Sequence, residues 1–335
     1  MDFDVVIVGA GPAGCAAAIS CVQHNLRTLI LHKSSTDKGD AIQPSESIHP
    51  GIETILIRLK ASHCIQLASK GVYEGIQYST GYAALGSDEN GTWLGNHIIR
   101  NKFDSELLKC VQTQGAEILQ DENLSNFIIR NDRVVGIQTT SGKIITSKYV
   151  IDATGYKRVA GKKLQFREQF FSPPLVSWTG ISRCTDSNVQ KVPRFLPNTS
   201  GWTWIAPEAS SHYTWTRLAM KGKQIFSPPT ELKDFPIVGK VKVVNSRWRI
   251  FRPLCREGII LCGDAAGIID PAAGRGILNA LMSGIVAADT VKLIAENPSF
   301  EAMHLARYDD WFLTNFEQNV EKLKELYSFN GIFQK

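Results

Sequence analysis

No CxxC pair occurs among the seven cysteines, and the chain has no low-complexity tract, no internal repeat and no long run of one charge. An odd number of cysteines, set mostly in apolar segments, excludes a disulfide framework and points to reduced thiols in a reducing, cytoplasmic setting. Without paired ligand spacing, no metal set is assigned. The net charge of +5 over 335 residues comes without the basic stripe of nucleic-acid binders, so no nucleic-acid partner is expected. With only 14 prolines and with 43% hydrophobic residues, the composition excludes disorder and collagen. Asp2 and Asp4 stand where a signal peptide would be basic. The most apolar late stretch, residues 276–294, holds Asn279, Asp289 and Lys292, too polar for an ordinary membrane span. What is present is a globular chain long enough for about two domains and a large core.

Residues 5–8 are a short, wholly apolar β run, expected as a strand buried on both faces of a parallel sheet. A glycine loop follows, then helical composition over 12–24 and a second strand over 27–31, which together make a right-handed βαβ unit. Residues 33–50 are polar, with Gly39, Pro44 and Pro50, and are expected as a long functional loop before a helix over 52–59. Over 101–114, Phe103, Leu107, Cys110 and Val111 share one helical stripe, and Asn101 with Asp104 has the pattern of a capping box. Short strands at 117–120, 126–130, 134–139 and 149–151, with Asn131-Asp132 as a turn, are expected to form a small meander. Six of the seven tryptophans lie between positions 93 and 248 among β-type segments and proline-containing loops, which predicts a second, antiparallel domain. A buried strand over 258–262, a glycine-rich stretch and two helices finish the chain.

The fold class expected is therefore α/β. A Rossmann-like domain with a parallel sheet and a βαβ start would comprise residues 1–70, 96–165 and 250–335. A mainly antiparallel β substrate domain would comprise residues 71–95 and 166–249.

Gly9-Ala10-Gly11-Pro12-Ala13-Gly14 matches GxGxxG between strand and helix. The first glycine permits the tight turn, the second lets a pyrophosphate approach the backbone, and the third lets helix and strand pack closely; the helix N-terminus supplies N–H donors. The acidic residue expected about 20 positions on is replaced by His32 and Lys33. This basic pair could accept a 2′-phosphate, as in NADP, or His32 could bond the ribose of FAD, and the loop alone leaves both open.

Four motifs in order, GAGPAG at 9–14, RNKFDSELLKCVQTQGAEIL from Arg100, IDATG at 151–155 and LCGDAAGIIDPAAGRGI at 261–277, resemble FAD-dependent monooxygenases of the p-hydroxybenzoate hydroxylase type. Their relatives, the flavin-dependent halogenases and geranylgeranyl reductases, share the pattern. The resemblance implies FAD, with Asp264 on the ribityl hydroxyls and Arg100 near the ribityl and phosphate portion. It places Ala153, Thr154 and Gly155 on the adenosine side, and Pro271, Gly274, Gly276 and Ile277 beside the ring. A helix starting near Gly276 would aim N–H groups at the reduced flavin's negative charge.

Gly201-Trp202-Thr203-Trp204-Ile205-Ala206-Pro207 resembles the WxWxIP signature of the halogenases and equally the aromatic-proline strand of the reductases. On a strand Trp202 and Trp204 share a face, so both, with Pro207, are candidates to wall a substrate pocket, and Arg217 is a candidate anion binder. Ser45-Glu46-Ser47 within QPSESIHP resembles the family's GESxxP loop, which makes Glu46 and His49 the candidate acid or base groups. Tryptophan-type halogenases carry an essential lysine in a strand that looks like residues 71–78 here, and that segment contains none. The resemblance thus implies a monooxygenase that hydroxylates an electron-rich aromatic through a flavin C4a-hydroperoxide, with NAD(P)H or a reductase as transient electron donor. The substrate would be a small molecule or a partner polypeptide, since the chain also resembles short flavoproteins that modify a tryptophan of a quinone-cofactor oxidase during tryptophylquinone biogenesis. Alternatives are a reductase of isoprenoid double bonds, a halogenase, and a flavin-binding assembly factor without turnover.

Overall fold

The structure, a computed structural model, describes residues 1–33, 43–89, 91–184, 192–208, 211–222 and 227–332. At its centre Val5, Val6 and Ile7 are fully buried, as a strand covered on both faces demands. Five parallel strands run in the spatial order Glu117–Gln120, Thr28–His32, Phe3–Val8, Ile144–Asp152 and Ile259–Leu261. Each buried Val, Ile or Leu here contributes about 1.5–3 kcal/mol relative to leaving it in water. The expected meander is three-stranded: Leu124–Arg130, Arg133–Thr139 and the first part of Ile144–Asp152 pair antiparallel. Asn131 and Asp132, both at positive φ, make its turn. Glu117–Gln120, read as part of that meander, instead extends the main sheet beside Thr28–His32. Its period could not reveal which edge it would join.

The helices are α1 (Pro12–Gln23), α2 (Ile52–Arg58), α3 (His63–Ala68), α4 (Arg100–Thr113), α5 (Val159–Lys163), α6 (Gly276–Glu296) and α7 (Glu301–Phe329). The capping box expected at Asn101 and Asp104 does not form: α4 begins at Arg100 with no side-chain cap, and Arg100 itself takes the Asp104 carboxylate. α6 is long and apolar enough to cross a membrane, but more than half of its apolar window is buried within the protein. Gly284 lets it close on α1, since a Cβ there would stand 2.1 Å from the Ala13 carbonyl oxygen.

A second, seven-stranded sheet has the order Ile237–Asn245, Leu175–Arg183, His212–Met220, Gly201–Glu208, Arg194–Asn198, Gly75–Tyr78 and Gly81–Ala84. It is antiparallel except where Gly75–Tyr78 meets Arg194–Asn198. One face, with Leu175, Phe195, Trp202 and Leu218, joins the main core; the other carries a separate cluster of Trp178, Ile205, Tyr213, Trp215 and Leu232. A three-stranded sheet of Ser45–Ile48, Gly95–Ile99 and Ser69–Tyr73 stands between the two layers, hydrogen-bonded to the seven-stranded sheet through Ser45 and Ser47.

Candidate functional site

The site begins where the central strand ends. Gly9 has φ +108°, and a Cβ on it would lie 2.5 Å from the Ala153 carbonyl oxygen; a Cβ on Gly14 would lie 1.8 Å from Gly9's own carbonyl oxygen. The loop is therefore clamped between its helix and the IDATG strand, as close helix and strand packing requires. α1 starts at Pro12 without a side-chain cap, leaving its first-turn N–H groups for an anion. A Cβ on Gly11 would meet nothing nearer than the Arg100 guanidinium at 4.0 Å. The Gly11 backbone is thus left open beneath the Arg100 guanidinium.

Asp152 is fully buried and brackets the adjoining loop, accepting from the Thr154 N–H at 2.9 Å and the Ala160 N–H at 2.6 Å. Ala153 is buried against Gly9, whereas Thr154 and Gly155 are half-buried on the loop beyond it. His32 ends the second strand, and burial lowers its pKa, so its imidazole is neutral near pH 7; Lys33 beside it is exposed.

The distant motif closes on this loop. Gly263, at φ +57°, has Ala13 of α1 and Ala280 of α6 on the same side, 2.9 and 3.6 Å from where its Cβ would be. The Ser283 hydroxyl accepts from its N–H at 2.8 Å. Residues 250 positions apart thus meet, as one elongated dinucleotide would need. Asp264 is accessible to solvent, yet the surrounding walls raise its carboxyl pKa, while Arg100 and Arg249 pull it down and Glu46 pushes it up. Accessibility together with desolvation is the signature of a groove. Arg100 donates through Nε to Asp104 at 2.8 Å and through Nη1 to Glu46 at 3.1 Å. Desolvation works against its charge, but the two carboxylates outweigh it and hold the guanidinium ionised.

The 270–276 turn is pinned from below. Asp270, buried at 1% exposure, accepts from the Trp202 indole at 3.2 Å, the Trp248 indole at 3.0 Å, the Ala272 N–H at 2.8 Å and the Tyr327 hydroxyl. Burial pushes its carboxyl pKa up and these donors draw it back. Above it a Cβ on Gly274 or Gly276 would meet nothing within 4 Å, leaving open backbone that a flat ring can approach. Pro271 and Gly276 are exposed, Ile277 is buried, and α6 starts with no side-chain cap. The Ser45–Gly51 segment reaches the same end of α6: a Cβ on Gly51 would lie 3.9 Å from Leu278. His49, half-buried, accepts from the Gly51 N–H at 3.0 Å through Nδ1; burial first, then Arg275, lowers its pKa.

Behind Glu46 lies a chain that local sequence reading missed. The Trp204 indole donates to Ser47 Oγ at 3.2 Å, and Ser47 Oγ is 2.9 Å from His97 Nδ1. His97 is 1% exposed and stacks on Tyr73 with ring centroids 4.6 Å apart. Burial takes its pKa down to about 4, so the ring is neutral at pH 7. His97 Nε2 is buried and has no hydrogen-bond partner among the described residues. No local pattern marks His97; only the pairing of Ser47 with His97 across two strands brings it to the site. The same is true of Asp270 with Tyr327, joined from 57 residues apart.

Of the pocket candidates, Trp204 is half-buried and faces this chain, whereas Trp202 is 2% exposed with its N–H held by Asp270 and Tyr327, a core position. Pro207 and Arg217 are corrected. The strand pleat sends them to the face opposite the two tryptophans, in the positions flanking the separate Trp215 cluster. There Arg217 donates to the Ser227 and Pro228 carbonyl oxygens at 3.0 and 3.3 Å. The segment 71–78 lacks a lysine as read, but Lys70 immediately precedes it. It sits in a register irregularity between Ser69 and Gly71, opposite Ile98 and His97, and bulges of this kind often re-aim side chains beside active sites.

A dinucleotide fits this groove, with uncapped α1 and Arg100 for the pyrophosphate, Asp264 at mid-groove and open glycine backbone at the α6 end. Residues 4–161 match the FAD dependent oxidoreductase family. Digeranylgeranylglycerophospholipid reductase of Thermoplasma acidophilum is 24% identical to the chain, over 94% of it and 84% of the relative. The 1H-pyrrole-2-carbonyl-(peptidyl-carrier protein) chlorinase of Pseudomonas fluorescens is 22% identical, over 99% and 85%. The structure of the flavin-dependent brominase Bmp2 has the same fold, with a TM-score of 0.79 at 20% identity over 92% of this chain and 83% of that one. Just under half of the chain thus matches the FAD dependent oxidoreductases, and FAD is the cofactor that the site and these likenesses support. The chain's neighbours are digeranylgeranylglycerophospholipid reductases on one side and flavin-dependent halogenases on the other.

Proposed function

We propose that this chain hydroxylates an electron-rich aromatic ring using reduced FAD and dioxygen, the ring being that of a small molecule or of a tryptophan in a partner polypeptide such as a quinone-cofactor oxidase. The observation that carries this reading is the Trp204, Ser47, His97 chain. It ends on His97, stacked on Tyr73, whose buried Nε2 has no hydrogen-bond partner among the described residues. Bound FAD would supply the redox and oxygen chemistry. α1 and Arg100 would hold its pyrophosphate, Asp264 its ribityl hydroxyls, and the N-terminus of α6 would stabilise negative charge on the ring. Half-buried Trp204 would wall the substrate off from water, with Ser47 and His97 behind it holding its indole in place. Two electrons come from NAD(P)H or a reductase; one oxygen atom enters the ring and the other leaves as water.

Two other reactions have support of their own. The names of several curated relatives favour reduction of an isoprenoid double bond. The halogenase neighbours, with Lys70 beside His97, favour halogenation. A single experiment separates the three: the FAD-loaded protein is incubated with reductant, chloride or bromide, and candidate aromatics, polypeptides or prenyl lipids, with and without oxygen, and products are weighed. Gain of one oxygen atom under air supports the proposal. Gain of two hydrogens without oxygen, or of halogen in place of hydrogen, replaces it with the corresponding rival.

A further inference from the structure

Three soft or borderline ligand atoms converge on the flank of the flavin-binding layer, away from the groove just described. Cys64 in the first turn of α3 faces Cys110 in the last turn of α4, with Sγ to Sγ at 3.8 Å, and Cys110 Sγ lies 3.6 Å from His63 Nε2. All three ligand atoms lie within 4.8 Å of one another. Both cysteines are buried and free while His63 is exposed, so the cluster is sheltered on two sides and open on the third.

We propose that His63, Cys64 and Cys110 form a three-ligand site for Zn²⁺ whose fourth position is taken by water. The geometry decides for a tetrahedral cation. With Zn–S near 2.3 Å and Zn–N near 2.0–2.1 Å, a tetrahedral site has edges of about 3.8 Å between sulfurs and about 3.5 Å between sulfur and nitrogen. Two edges, 3.8 Å and 3.6 Å, already have these lengths, and the third, from Cys64 Sγ to His63 Nε2, lies within 4.8 Å and would shorten on binding. Two thiolates and an imidazole select zinc over magnesium or calcium, which take oxygen ligands. Glu106, one turn before Cys110 on the same face of α4, adds negative potential and is held by Lys109 at 2.8 Å. Binding would release the two thiol protons. Sequence spacing conceals the site because 46 residues separate Cys64 from Cys110. Its consequence would be mechanical: the cation would tie α3 to α4, the helix whose first residue is Arg100.

The test uses the FAD-loaded protein, reduced and stripped with a chelator, then titrated anaerobically with Co²⁺. Tetrahedral cobalt bands should rise at wavelengths beyond the flavin absorption, saturate near one equivalent and disappear on adding Zn²⁺. Cys110→Ser and His63→Ala should each weaken binding at least about tenfold while leaving the flavin spectrum unchanged, which shows that the variants fold. A titration without tetrahedral bands, or bands that survive in the Cys64→Ser/Cys110→Ser double variant, overturns the proposal. So does mass analysis finding a Cys64 to Cys110 disulfide in place of bound cation under reducing conditions.

Discussion

Acidification should destabilise this protein through His97. The imidazole is 1% exposed, stacked on Tyr73 and bonded to Ser47 through Nδ1, and burial depresses its pKa from 6.5 to about 4. Between those two values the unfolded chain holds a proton on this ring that the folded chain refuses. Stability therefore rises with pH through the window and is lost as pH falls from 6.5 toward 4. At about 1.4 kcal/mol per pH unit, the difference of about 2.5 units between 6.5 and 4 is worth about 3 kcal/mol. That is a large share of a typical 5–15 kcal/mol total. The assay is urea unfolding of the FAD-loaded protein at pH 7.0, 6.0, 5.0 and 4.5, for the wild type and for His97→Gln, whose amide can still bond Ser47 but cannot titrate. The variant should be less stable than the wild type at pH 7 and should lose about 2–3 kcal/mol less between pH 7 and pH 4.5. Parallel pH profiles for the two proteins would refute the reasoning, since His97 would then be titrating as freely in the folded state as in the unfolded one.

Gly14→Ala places a methyl group where Gly9's carbonyl oxygen stands 1.8 Å away, so it should cost at least about 3 kcal/mol and abolish FAD retention; thermal unfolding and flavin absorbance read both. Asp270→Asn keeps the shape but replaces one accepting oxygen with a donor, facing either Trp248 and Tyr327 or Trp202 and the Ala272 N–H. It should cost about 1–3 kcal/mol and loosen FAD measurably by fluorescence titration, whereas an unchanged flavin affinity would detach the 270–276 turn from the cofactor. Arg217→Ala, on the face of the seven-stranded sheet opposite Trp202 and Trp204, should leave FAD affinity and substrate KM within about twofold of the wild type; a KM raised tenfold or more would return this arginine to the pocket.

The parts of this fold legible in sequence are those whose signal is local and steric. The GxGxxG loop announces its own geometry because Gly9 and Gly14 admit no side chain, and residues 5–8 announce their burial because no polar atom interrupts them. The Asn131-Asp132 turn is equally local. What stayed hidden depends on which strand lies beside which. Glu117–Gln120 has the pattern of a strand but none that tells a meander from a sheet edge. The period of two in residues 201–208 shows that Trp202 and Trp204 share a face, yet only the tertiary arrangement buries the first under Asp270 and opens the second toward Ser47. The same period, applied to Pro207, already puts it on the opposite side. The convergence of Glu46, Arg100 and Asp264 was expected only through family resemblance; the groove makes it a matter of opposite charges sharing desolvation.

The account rests on one groove gripping one dinucleotide, so the most direct measurement is FAD content. Protein purified from cells, or reconstituted with FAD, should carry about one equivalent per chain with a resolved flavin spectrum. Arg100→Met, which removes the cation above Gly11, should raise the dissociation constant at least about tenfold. A colourless preparation that takes up no added FAD, or an Arg100→Met variant that binds it as tightly as the wild type, would contradict the site described here.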